Sequence, residues 1–411
     1  MRHFGVRETG SFSGCVQQIN RVPGQSPSFC GEPLEPQNVI GRPTDVTRAR
    51  RWTFAALFLL AGIVLVIWAA APAYQDFRDF WADQEVCEGT GPDVDAQIAA
   101  CTRQIESDRW HGHSLAIQHY NRGIARKAKG DLDGAIADYT EAIRLDPKYQ
   151  HAYYNRGAAW SRKGDLDRAI ADYGDAIRLD PQDADPYNNR GITWKTKGDL
   201  DAAIADYTEA IRLDPKYEHA YFNRGIAWSR KGDLDRAIAD YGDAIRLDPQ
   251  DANPYYSRGI AYESKKDYEH AIADYTEAIR LDTADANKFS SRCWARALGG
   301  KDLNGALADC NESLRLQPND GNTLNSRGLV QCKLGAFDAA IADYNAAVAQ
   351  NANDADSLYA RGVAKLKKGD TAGGNGDTAA AKAIKPDIAA VSAGYGITVD
   401  AAGANAALEH K

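Results

Sequence analysis

Three histidines, His111, His113 and His119, stand close enough in the chain to suggest a metal site, since neutral imidazoles are common zinc ligands. Two of them flank Gly112, and no cysteine or carboxylate is spaced to complete a tetrahedral set, so solvated surface side chains are the better expectation. Seven cysteines, Cys15, Cys30, Cys87, Cys101, Cys293, Cys310 and Cys332, show no C-x-x-C spacing and give no support for zinc or thioredoxin-type chemistry. The run Gly373-Gly374-Asn375-Gly376-Asp377 lacks the Lys-Ser/Thr that a phosphate-binding loop needs, and reads as a broken turn. Neither G-x-S-x-G nor H-E-x-x-H occurs. The expectation is a chain without catalytic residues, metal or cofactor.

The remaining ionic chemistry is periodic. Arg122, Arg156, Arg190, Arg224, Arg258, Arg292, Arg327 and Arg361 recur at one site, and Asp138, Asp172, Asp206, Asp240, Asp274, Asp309 and Asp343 at another. Carboxylates set by a structural period serve caps and ion pairs more often than catalysis. These two rows predict a ladder of ion pairs between packed helices, with unpaired solvent charges as the alternative.

What must position them is a repeat. GDLDGAIADYTEAIRLDPKYQHAYYNRG at Gly130–Gly157 returns almost unchanged at Gly198–Gly225, and Pro147, Pro181, Pro215 and Pro249 stand thirty-four residues apart. Within one unit Tyr153, Gly157 and Trp160 share a helical stripe, Gly164 stops the helix, and Asp165 can cap the next. Ala169, Tyr173 and Ala176 form the second stripe, and Pro181 ends it. Small residues sit where two helices must approach and aromatic ones fill the gaps. These residues resemble the tetratricopeptide repeat, and the pattern returns with Tyr187, Gly191, Trp194, Ala203, Tyr207 and Ala210 and with Tyr221, Gly225, Trp228, Ala237, Tyr241 and Ala244. The first copy carries Arg126 at an aromatic site, and the sixth has Cys293 and Cys310 in place of the Gly and Tyr. The resemblance implies an all-α, right-handed α-solenoid of about eight helix–turn–helix hairpins over residues 116–369. Residues 370–396 are expected to hold a degenerate repeat end and a capping helix, and 397–411 a loose tail.

The resemblance also implies that the first helices line a concave groove. Its polar row here is Asn121, Asn155, Asn189 and Asn223, continued by Ser257, Ser291 and Ser326, with Tyr120, Tyr154, Phe222 and Tyr256 beside it. Asn amides suit the backbone of an extended peptide, so the expected partner is a protein or peptide; the alternative is that they serve the scaffold. The lysines of the clamp by which some relatives hold C-terminal carboxylates are absent, since His151, Asp185, His219 and Asn253 stand in their place.

The formal net charge of −8, with both signs mixed through the repeats, leaves no basic footprint for nucleic acid. Residues 1–51 lack periodicity and read as disordered. Trp52–Ala73 then runs twenty-two residues without a charge, enough for a helix across a bilayer. Arg48, Arg50 and Arg51 precede it and Asp76, Asp79, Asp83 and Glu85 follow, which puts the N-terminus in the cytoplasm and the repeats beyond a bacterial-type inner membrane. Ala71-Pro72-Ala73 also has the form of a signal-peptidase site, so a secreted array is the alternative. Residues 74–115 form an approach segment, whose 96–107 imitates a second repeat helix and would cap the array, Cys101 matching Tyr139. In an oxidising compartment Cys87 and Cys101 would close a loop worth roughly 3 kcal/mol, and Cys293 with Cys310 would face each other within one hairpin. Buried free thiols are the other possibility for both pairs.

Overall fold

The computed structural model describes residues 68, 70, 71, 73–89 and 93–399. The chain divides into two units, Met1–Tyr74 and Gln75–Lys411, and the second holds the repeats. The expected disordered tail, Cys15 and Cys30, most of Trp52–Ala73 and all residues after 399 lie outside the described residues. Among the described residues no helix is long and apolar enough to cross a membrane, and none forms a strand.

Residues 75–88 are helical (α1), and α2 spans Val94–Glu106. Eight hairpins follow: α3 (Gly112–Lys129) with α4 (Leu132–Leu145), α5 (Gln150–Lys163) with α6 (Leu166–Leu179), α7 (Ala184–Lys197) with α8 (Leu200–Leu213), and α9 (Glu218–Lys231) with α10 (Leu234–Leu247). Then come α11 (Ala252–Ser264) with α12 (Tyr268–Leu281), α13 (Ala286–Gly299) with α14 (Leu303–Leu316), α15 (Gly321–Lys333) with α16 (Phe337–Gln350), and α17 (Ala355–Lys368) with α18 (Thr371–Ile384). A short α19 (Ile388–Gly394) closes the series.

The hairpin turn follows from its two key residues. Gly164 takes φ 86°, which an L side chain resists, and the Asp165 carboxylate accepts from the Arg168 amide to cap α6. In the core of six of the eight hairpins the buried tyrosine of the second helix lies against the glycine of the first; a Cβ on Gly225 would come within 2.7 Å of the Tyr241 ring. Each helix packs on its sequence neighbours, and first helices of successive repeats also touch, as α3 does α5 and α13 does α15. No comparable contact joins successive second helices, so the first helices line the inside of the curve.

Two pairs of cysteines are joined, Cys87–Cys101 and Cys293–Cys310, with Cα–Cα separations of 4.8 and 5.5 Å. The second bond fills the space that a Gly–Tyr pair occupies in other hairpins. Helix α2 packs on α3, where Arg122 Nη1 reaches Thr102 of α2 at 3.1 Å, just as Arg156 Nη1 reaches Thr140 of α4 at 3.1 Å.

The glycine-rich run at 373–377 corrects its expected broken turn, because it lies within α18. Asp370 caps that helix through the Gly373 amide, and Gly374 lets α18 lie on α17. A Cβ at Gly374 would come within 2.8 Å of the Gly362 carbonyl oxygen. The eighth hairpin is therefore complete, and its glycines trade helix propensity for close approach.

Candidate functional site

The arginine row and the aspartate row meet in every hairpin. Arg156, Arg190, Arg224, Arg258, Arg292, Arg327 and Arg361 each present Nε and Nη2 to both oxygens of one carboxylate, and Arg122 likewise grips Asp138. Their shortest N–O distances fall between 2.6 and 2.8 Å. The eighth partner, Asp377, belongs to the run whose sequence looked like a turn. Asp138, Asp172 and Asp240 are 2–5% exposed, so the ladder is internal. The third guanidinium nitrogen crosses to the preceding second helix, meeting Thr140, Thr208 or Thr276 at 3.1 Å. Arg190 and Arg258 find Gly174 and Gly242 at that place instead. Burial works against charge on Asp138, but hydrogen bonds from His119 and Arg122, with the charges of Arg122 and Arg126, hold its carboxyl below the usual range. Both oxygens are taken by cations, so these groups fix repeat register rather than act on a ligand.

The Asn row stitches repeats together. Asn155 Nδ2 donates to the Tyr120 hydroxyl at 2.9 Å, and Asn189 Nδ2 to that of Tyr154 at 2.6 Å. Asn223 Nδ2 donates to Asn188 Oδ1 at 3.4 Å, and the Tyr256 hydroxyl lies 3.2 Å from that of Ser291. Asn121, with no repeat before it, makes none of these bonds among the described residues. The aromatic row leans on the core: Tyr120, Tyr154, Phe222 and Tyr256 have ring centroids 5.7–5.9 Å from Tyr139, Tyr173, Tyr241 and Tyr275. All eight residues are half-buried on the inner face, where amide and hydroxyl edges remain beside one another.

The histidines do not converge, and among the described residues no group of three or more potential ligands gathers. His113 Nδ1 sits 2.5 Å from Asp146 Oδ2. His119 corrects the expectation of a solvated side chain: only 12% exposed, it lies 3.5 Å from Asp138 at the foot of the ladder.

Two features went unseen in the sequence. Lys127 Nζ donates to Asn155 Oδ1 at 2.5 Å and Lys195 Nζ to Asn223 Oδ1 at 2.9 Å, placing two half-buried amines in the groove. Comparing every second repeat exposes them, because Ser161 and Ser229 fill the same site between. At the far end a cavity of about 410 Å³ is lined by Glu263, Ser291, Trp294, Asn325 and Asp356 and walled by Tyr395. There the chain leaves α19 and re-enters the groove: the Tyr395 ring meets Trp294 edge-on at 5.2 Å, and Ile397 is buried among the residues of the last hairpins.

Comparison with known proteins agrees with this architecture. TPR repeat matches cover residues 123–164, 161–196, 195–232, 229–266 and 328–369, and a tetratricopeptide repeat match covers 252–282. A mouse (Mus musculus) FK506-binding protein-like protein is 30% identical over 111 residues, 27% of this chain; the match spans 31% of that protein's length. The crystal structure of MamA is 28% identical, with TM-score 0.38, covering 39% of this chain and 94% of its own. YrrB, described as a TPR protein with an unusual peptide-binding site, is 20% identical with TM-score 0.41, covering 46% and 97%. Repeat spacing, hairpin geometry and the repeat-family matches over 123–282 and 328–369 agree, and the chain belongs to the tetratricopeptide repeat family.

Proposed function

We propose that this chain is a non-enzymatic scaffold that captures an extended segment of a protein partner along its concave groove, in an assembly of the cell envelope. The observation that carries the reading is the chain's own C-terminal segment, whose Tyr395 and Ile397 already rest in the groove of the last hairpins. Toward the other end, Tyr120, Tyr154, Phe222 and Tyr256 offer flat apolar faces, and the row Asn121, Asn155, Asn189 and Asn223 would exchange its hydrogen bonds within the array for those of an incoming strand. A photo-crosslinking side chain at Asn155, inside the curve, is expected to trap a partner in cells, while one at exposed Ala171 of α6 traps none. Equal crosslinking from both positions refutes groove capture.

The same proposal places Trp52–Ala73 in a membrane as an uncleaved anchor, with the array on the non-cytoplasmic side. Supporting it, α1 presents Phe77 and Trp81, 57% and 48% exposed, as aromatic rings of the kind that favour a bilayer interface. The two disulfides fit an oxidising compartment. Release of the native protein by carbonate wash sinks the anchor and leaves the array secreted after cleavage near Ala73. Non-reducing peptide maps that recover Cys87, Cys101, Cys293 and Cys310 as free thiols count against the compartment.

A further inference from the structure

Lys127 and Lys195 are sister residues one double repeat apart, each facing an Asn of the next first helix. Cations elsewhere on these helix ends have acidic partners: Lys163 pairs with Asp133, Lys197 with Asp167 and Lys231 with Asp201. Their positions near helix C-termini suit the helix dipole. Lys127 and Lys195 turn inward instead, and the charges they feel are Arg162 and Arg230 of the following hairpins. None of these four cations forms an ion pair with a carboxylate among the described residues. Burial, and then the neighbouring guanidinium, lowers both amines, Lys195 to about 8.

A second observation comes from the tyrosines beneath. The hydroxyls of Tyr139 and Tyr207, in the same hairpins as the lysines, are fully buried and have no hydrogen-bond partner among the described residues, a state shared by Tyr344 of the seventh hairpin. The Lys195 amine lies 6.0 Å from the centroid of the Tyr207 ring. Where the lysine site holds Glu263, by contrast, the Tyr275 hydroxyl donates to its carboxylate at 2.9 Å. Twice over, then, a half-buried cation and a second cation lie above a buried unpartnered hydroxyl, and among the described residues no carboxylate pairs with either cation. Such a set costs stability and lacks an internal beneficiary, which is the mark of a site built for an anionic group.

We propose that the first four hairpins carry a tandem anion site, Lys127–Asn155–Arg162 and Lys195–Asn223–Arg230, which reads acidic side chains two repeats apart on an extended peptide. The assignment rests on the groove reading above and narrows it to acidic partners. The opposite end of the groove, lined by Glu263, Asp354 and Asp356, has the other sign, so the groove also sets the direction of the bound strand.

The test uses the full chain in detergent micelles and two fluorescein-labelled peptides of roughly sixteen residues, alternating Glu-Ser and alternating Gln-Ser. Anisotropy is read at about 50 and about 300 mM NaCl. The glutamate peptide should bind about tenfold or more tighter than the glutamine peptide at low salt, with the advantage shrinking at high salt. Lys127→Met with Lys195→Met, which keeps the apolar stems, should abolish that advantage. Lys163→Met with Lys231→Met, on paired cations, should preserve it. Equal affinity for the two peptides in the wild type, or a preference surviving the Lys127/Lys195 pair, overturns the anion site. Glutamine-peptide binding that disappears in Asn155→Ala would keep groove capture standing in that event, whereas no binding of either peptide removes both.

Discussion

Replacing Arg224 by Met removes one rung of the internal ladder and leaves Asp240, whose side chain is 7% exposed, without its two-pronged partner. An uncompensated buried charge of this kind costs about 3–5 kcal/mol. The lost bond to Thr208, 3.1 Å away, accounts for about 1 kcal/mol of the loss. The expected penalty at pH 7 is about 3–5 kcal/mol, most of it from the stranded carboxylate. Arg258→Met, whose third nitrogen faces Gly242 instead of a hydroxyl, should lose about 1 kcal/mol less. Adding Asp240→Ala to Arg224→Met removes the stranded charge and should restore stability to within about 1–2 kcal/mol of wild type. Because long arrays open piecewise, the readout is native-state hydrogen exchange of the α9 and α10 amides at pH 7. A penalty for Arg224→Met below about 1 kcal/mol, or one that the added Asp240→Ala does not relieve, refutes the claim that buried Asp240 depends on this rung.

Gly225→Ala puts a methyl 2.7 Å from the Tyr241 ring and should cost about 1–3 kcal/mol. At Gly157, where the nearest atoms stand 3.1–3.2 Å away, the gain in helix propensity of about 1 kcal/mol should nearly cancel the crowding; urea midpoints that rank the two variants the other way contradict this packing account. Lys195 has a folded pKa of about 8 against 10.5, so the unfolded chain holds the proton more tightly, and below pH 8 the full destabilisation is present. Allowing for the solvent this amine still meets, Lys195→Met should raise stability by about 1–2 kcal/mol at pH 7. That advantage should fade between pH 8 and 10.5 as the folded amine loses its proton first; thermal melts showing the same difference at both ends contradict the buried-amine assignment.

The hairpins were legible because they rest on local rules repeated many times. A glycine that ends a helix, an aspartate that caps the next and a proline that stops it all act within a few residues, and a thirty-four-residue period multiplies the signal. The ladder was legible for a related reason: a charge recurring beside the core of every hairpin needs a partner at the same period, and the aspartate row supplies one. Asp377 escaped notice because its surroundings, glycines at 373, 374 and 376, oppose helix by propensity, while close packing on Gly362 overrides that preference. The Asn amides illustrate a different limit. Whether Asn155 meets a peptide or Tyr120 depends on the separation of hairpins thirty-five residues apart, a tertiary distance on which the local pattern is silent. Lys127 and Lys195 were hidden by the repeat itself, since matching each unit against its neighbour treats an alternation of Lys and Ser as drift. On the anion-site proposal, a chain that copies its scaffold closely yet alternates a costly half-buried cation within it separates two demands: the thirty-four-residue period answers to folding, and the sixty-eight-residue one to the proposed acidic partner.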